Sequence, residues 1–113
     1  MDGVEFISTE RKRQIEVEGW KPEHDDMWSN CELTQVAALY ALDESSRTIY
    51  DSDGNGIGLV PYLYPRGRWG MQWWKPAKDD SFGGRIHELA KAGALIAAEI
   101  DRLLRLRARM GGE

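Results

Sequence analysis

The strongest constraint on the fold lies in the last third of the chain. At 100° per residue, Ile86, Leu89, Ala90, Gly93, Ile96, Ala97, Ile100, Leu103 and Leu104 fall on one side of a helix. The spacing predicts one long helix over about 84–110, opened by Ser81 or the Gly83-Gly84 pair, with that apolar stripe as its core face. Glu88, Lys91, Leu95, Glu99 and Arg102 form a second stripe well rotated from the first, with the small residues Ala92, Gly93 and Ala94 between them. Such a stripe is either a set of helix-spaced ion pairs on a wet face or a ligand-facing surface. Arg102, Arg105, Arg107 and Arg109 complement the helix C-terminus as a solvated basic tail.

Two shorter helices are expected upstream. One starts after Ser8 or Thr9 and runs over about 9–18, with Gly19 past its end and Lys21-Pro22 forbidding continuation. Arg11, Gln14 and Ile15 share a face of it. The ordered loop GWKPEHDDMWSN follows, then a largely buried helix over about 31–42 capped by Asn30. There Glu32 either faces inward with Gln35 and needs a partner, or complements the helix dipole while exposed. Residues from about 43 to 82 form a long aromatic-rich connection, with a short hairpin around DSDGNG and an arm, YPRGRWGMQWWKPAKDD, laid over the bundle or a partner subunit. DSDGNG copies the first half of a calcium loop, but Tyr62 stands where the bidentate glutamate belongs, so it reads as an Asp/Asn/Gly turn.

At 113 residues the chain is one domain, and three helices with an arm make a thin core, which predicts a homodimer or homotetramer. The net charge of −4 offers no basic field for duplex nucleic acid. One cysteine and two histidines at unrelated spacings exclude disulfide scaffolds and zinc modules. No long apolar run or signal core is present, so no membrane is expected and the cytoplasm is the expected address. Five tryptophans, beside four tyrosines and two phenylalanines, suggest an aromatic-lined pocket or interface as well as a core. His24, Asp25, Asp26 and Glu32 are either solvated charges or hard ligands gathered at the start of the second helix.

The strings ERKRQIEVEGW, EHDD, CELTQVAALYAL, WWKP and ELAKAGALIAAEIDRL together resemble a family of small phage and prophage proteins. That family is similar to the all-α nucleotide pyrophosphohydrolases of MazG and dUTPase type. The resemblance implies an all-α, MazG-like helical bundle with a long aromatic-rich insertion, completed by oligomerisation, in the cytoplasm of an infected bacterial host. It also implies a magnesium site built from paired helical acids, of which Glu32 and Glu88 match the first member of each pair. Gln35 and Lys91 replace the second members, and a lysine in such a site repels the metal.

The substitution implies binding without hydrolysis and without a cofactor. A nucleotide-like small molecule, used as a signal in host immunity (a cyclic oligonucleotide or an ADP-ribose derivative), would be sequestered. Arg11, Lys75, Lys91 and Arg102 would hold phosphates, Trp20, Trp73 or Trp74 would stack on the base, and Glu32 or Glu99 would accept from base or ribose, with Gln14 beside them. The alternative is a magnesium-dependent pyrophosphohydrolase using Asp25 or Asp26 with Glu32 and Glu88. A third class is a protein-directed inhibitor that presents Trp69, Trp73 and Trp74 as an interface.

Overall fold

Asp2 caps the first helix, which starts six residues before the expected position. Its carboxylate accepts from the Glu5 amide at 2.9 Å while the Glu5 side chain accepts from the Asp2 amide, a reciprocal capping box that Ser8 and Thr9 cannot match. In this computed structural model, which describes residues 1–65 and 69–112, α1 therefore spans Gly3–Glu16. Gly19 sits at φ 76 beyond its end, and the Trp20 amide donates to the Gln14 carbonyl at 2.9 Å, turning the chain back. The loop that follows contains a single helical turn, α2 (Pro22–Asp25), with proline in its first turn.

The next helix, α3 (Glu32–Ala41), is entered through Cys31 in the left-handed region, φ 67, and not through an Asn30 side-chain cap. Glu32 accepts from the Asn30 amide at 2.7 Å, which matches its dipole-complementing role. The connection holds the expected hairpin, β1 (Thr48–Tyr50) and β2 (Gly56–Gly58), paired antiparallel with Ile49 opposite Ile57. Its DSDGNG tip is an Asx turn in which Asp51 Oδ1 accepts from the Asp53 and Asn55 amides. A short α4 (Val60–Leu63) follows, and then α5 (Phe82–Arg109), with Ser81 accepting from the Gly84 amide at 3.1 Å. The protein is thus mostly helical with one two-stranded sheet among the described residues, and none of its helices there is long and apolar enough to cross a membrane.

Both α1 and α3 pack on α5, largely away from the expected stripe, of which Ala90 is buried and Gly93 meets Ile7 of α1 while the large side chains are not covered. Ile86, Leu89, Ile96, Ile100, Leu103 and Leu104, read from the sequence as core, remain 42–53% exposed. The inward face carries Glu88, Ala92, Leu95, Ala98 and Arg102, all under 9% exposed. Small residues there let neighbouring helices approach closely, and each buried charge is paired, which removes the usual penalty against that face. Arg102 donates to Glu99 from Nε and Nη2 at 2.6 and 3.0 Å. Arg85 donates to the Tyr40, Ala41 and Leu42 carbonyls, closing the C-terminus of α3 with a guanidinium.

The basic tail is likewise not merely solvated. Arg105 and Arg109 reach back to Asp26 at 2.8 and 3.3 Å and tie α2 to the end of α5. Trp20, Trp28, Leu33, Leu39, Tyr40, Tyr64, Trp69 and Leu95 make the core around which these elements close.

Candidate functional site

Residues 10, 14 and 18 are four apart, so one face of α1 and its continuation presents Glu10, Gln14 and Glu18 toward α5. Opposite them stand Lys91 and Leu95, also four apart, and Tyr40 at the end of α3. Trp20, delivered by the Gly19 turn, and Trp69, Trp73 and Lys75 from the connection complete a recess between α1, α3 and α5. It has about 20 Å³ of free space, room for one water-sized group.

The walls are aromatic and tightly arranged. Trp20 meets Trp69 and Trp73 with ring centroids 5.7 and 5.2 Å apart, and stacks on His24 at 5.1 Å. Tyr40 clasps the connection to the bundle, because its hydroxyl donates to the Trp73 carbonyl at 3.0 Å and accepts from the Lys75 amide at 2.8 Å. Burial pushes that hydroxyl up to about 12.

Charge is distributed unevenly around the recess. Arg13 grips Glu10 through Nε and Nη2 at 2.9 and 2.8 Å and reaches Glu18 at 2.7 Å, so three of the five charges satisfy one another. Burial alone would raise the Glu10 carboxyl, but Arg13 outweighs it and the net shift is downward. Lys91 Nζ donates to the Lys75 carbonyl at 2.8 Å and lies 5.4 Å from the centre of the Tyr40 ring. Burial pulls its pKa down, against the opposing pull of Glu10. Lys75 Nζ stands at the rim, 3.9 Å from Glu18. Arg13, Lys75 and Lys91 against Glu10 and Glu18 leave one positive charge in excess.

Three polar atoms of lining residues have no partner among the described residues, one of them the indole N–H of the fully buried Trp69. Gln14, 2% exposed, has an unpaired Oε1, and Trp20, 6% exposed, has an unpaired Nε1–H. Buried polar groups are nearly always paired, so an acceptor and a donor left open on one recess mark a place where another molecule's polar edge fits.

Of the residues singled out from the sequence, Gln14, Trp20, Trp73, Lys75 and Lys91 line this recess, and Arg11, Glu32, Trp74, Glu99 and Arg102 do not. Arg11 is bound to Asp25 at 2.9 Å, and Glu99 and Arg102 are bound to each other. Trp74 lies between Tyr40, Tyr64 and the Arg47 guanidinium, the last 5.1 Å from its ring centre. Trp69 is fully buried and Trp73 and Trp74 are half-buried against the core, so the arm turns its indoles inward. Glu10, Arg13, Glu18 and Tyr40 were missed as site residues. The four-residue spacing of Glu10, Gln14 and Glu18 is a signal that could have found the two acids.

The four acids considered as magnesium ligands do not converge. Asp25 is fully buried between Arg11 and His24, and Asp26 is held by Arg105 and Arg109. Glu32 is engaged with the Asn30 amide. Glu88 accepts from the Ala77 amide at 2.8 Å and from Arg85 at 3.0 Å, with Arg47 3.1 Å away. Among the described residues, no three His, Cys, Asp or Glu side chains are grouped as a metal's ligands would be. No family model matches the chain, and neither a curated protein nor a solved structure is significantly similar to it.

Proposed function

We propose that the protein binds a nucleotide-derived small molecule in the recess between α1, α3 and α5 and leaves it intact. The observation that carries this reading is the pair of unpaired buried atoms, Gln14 Oε1 and Trp20 Nε1–H, on one aromatic recess with a surplus cation. A base edge offers the complementary donor and acceptor, and Trp73 supplies an indole face for it to stack on. Lys75 and Lys91 receive the phosphate as point charges.

From that position a phosphate would extend over a neighbouring hollow that shares Lys75 and Lys91 and is bordered by Lys78, His87 and the start of α5 at Gly83, with the Asp79 and Glu88 carboxylates also on its lining. Helix N-terminal amides favour an anion there. The chain does this as a homo-oligomer, with a dimer as the smallest unit. Hydrolysis through magnesium is the weaker reading, because each acid it needs is engaged by an arginine or a backbone amide.

Isothermal titration without and with magnesium, against NTPs, cyclic dinucleotides and ADP-ribose derivatives, tests the proposal. Binding without metal, quenching of tryptophan emission and chromatographic recovery of the unchanged ligand are expected. Gln14→Leu and Lys91→Met should each weaken binding about tenfold, the effect of losing one hydrogen bond or charge contact. No binding by any member of the panel, or magnesium-dependent release of pyrophosphate, overturns it.

A further inference from the structure

The exposed apolar stripe of α5 is spaced more strictly than a core face requires. Phe82, Ile86, Leu89, Gly93, Ile96, Ile100 and Leu103 follow one another at intervals alternating between four and three. That is the 3.5-residue repeat of a helix whose seam faces another helix along its whole length. Among the described residues only Ile7 of α1 reaches the seam, at Gly93, and the large apolar side chains on either side of it stay uncovered. Phe82 is 90% exposed, and Ile86, Leu89, Ile96, Ile100 and Leu103 are 42–53% exposed, because α1 and α3 pack largely away from them. Together with Leu104 these side chains form one exposed apolar stripe along the helix, the kind of surface that marks a contact with another chain.

The charges at the two ends of the helix identify the occupant. Asp79 and Asp80 are exposed immediately before α5, and Arg107 is exposed at its end. A second α5 laid antiparallel places acids beside arginines at both ends of the seam and opposes the two helix dipoles favourably. A parallel copy places like charges together at each end. A surface that is apolar along its length, acidic at one end and basic at the other is complementary to itself under a two-fold rotation. The midpoint of the repeat falls beside Gly93, where the half-buried Ile7 closes on the helix, so α1 borders the axis.

We infer that this stripe is the seam of an antiparallel homodimer in which α5 of one copy packs along α5 of a second. The seam deepens the oligomer part of the proposed function, and because the recess lies on the other side of α5, loss of the dimer and loss of ligand binding are read separately.

Sedimentation velocity from 1 to 100 μM tests it directly. The chain should sediment as a species of twice 12.9 kDa. Ile96→Glu with Ile100→Glu should weaken self-association by at least about a hundredfold, since each buries a carboxylate in the seam. Both positions are about half exposed within one chain, so the helical circular dichroism of the variant should be kept. In a Cys31→Ser background, Asp80→Cys and Arg107→Cys chains should cross-link with each other when mixed and not each with itself. A wild-type monomer throughout that range, or a dimer indifferent to the two glutamates, overturns the seam; self-cross-linking of each cysteine variant overturns the antiparallel orientation.

Discussion

Replacing Asp25 by asparagine should be among the most damaging isosteric changes in this protein. Asp25 is fully buried; its Oδ2 accepts from Arg11 Nη2 at 2.9 Å and its Oδ1 lies 3.0 Å from His24 Nδ1. Trp28 Nε1 donates to His24 Nε2 at 3.3 Å, so the ring proton sits on Nδ1 and points at Asp25. Arg11 has little else: its Nε and Nη1 are buried without partners, and Asp101, 3.7 Å away, is half exposed and screened. Removing the carboxylate charge leaves a guanidinium buried and uncompensated, a change that costs about 3–5 kcal/mol when a buried pair is broken from one side.

For a chain of this length a 3 kcal/mol loss lowers the melting temperature by roughly 12 °C. Urea and thermal unfolding followed by circular dichroism at pH 7 measure it. Arg11→Met in the same chain should recover part of the loss, with a coupling of about 2 kcal/mol between the two positions. A cost below about 1 kcal/mol for Asp25→Asn, or additivity of the two changes within about 0.5 kcal/mol, refutes the pairing argument.

Two further outcomes follow from the same packing. Burial alone would raise the Glu88 carboxyl, but the Ala77 amide, Arg85 and Arg47 hold it below the usual range, so its contribution to stability is present above about pH 4.5 and is lost as pH falls through the lowered value; the urea midpoint should therefore drop on acidification, and less steeply in Glu88→Gln. A Cβ at Gly93 would stand 2.6 Å from Ile7 Cδ1 and 2.7 Å from Cγ1, so Gly93→Ala should destabilise the chain by about 1 kcal/mol despite the better helix former, and stabilise it by about that amount once Ile7→Ala has cleared the space.

Local chemistry made several elements legible. Gly19 and Pro22 end α1 as their backbone preferences require, the Asp/Asn/Gly run folds into a hairpin turn, and Ser81 caps α5. The first helix was placed too late because Ser8 and Thr9 are plausible caps in isolation, while the Asp2–Glu5 box holds two amides at once. Gln14, Trp20, Trp73, Lys75 and Lys91, picked out for their chemistry, come together on one recess. Arg11, Glu99 and Arg102 were assigned to a ligand because sequence shows a charge but not its partner, and here the partners are other residues of the chain.

From the sequence alone it follows that the last helix has two faces, one apolar and one mixed, and that Gly19 and Pro22 turn the chain into a loop holding Trp20 and Trp28. Which face of α5 lies inward was decided only by the tertiary structure. Periodicity ranks faces by hydrophobicity, whereas packing also rewards small side chains that admit close approach and charges that arrive already paired. With Glu88, Glu99 and Arg102 each satisfied by a neighbour, the Ala92–Leu95–Ala98 face could close against α1 and α3, and the more apolar stripe was left outside.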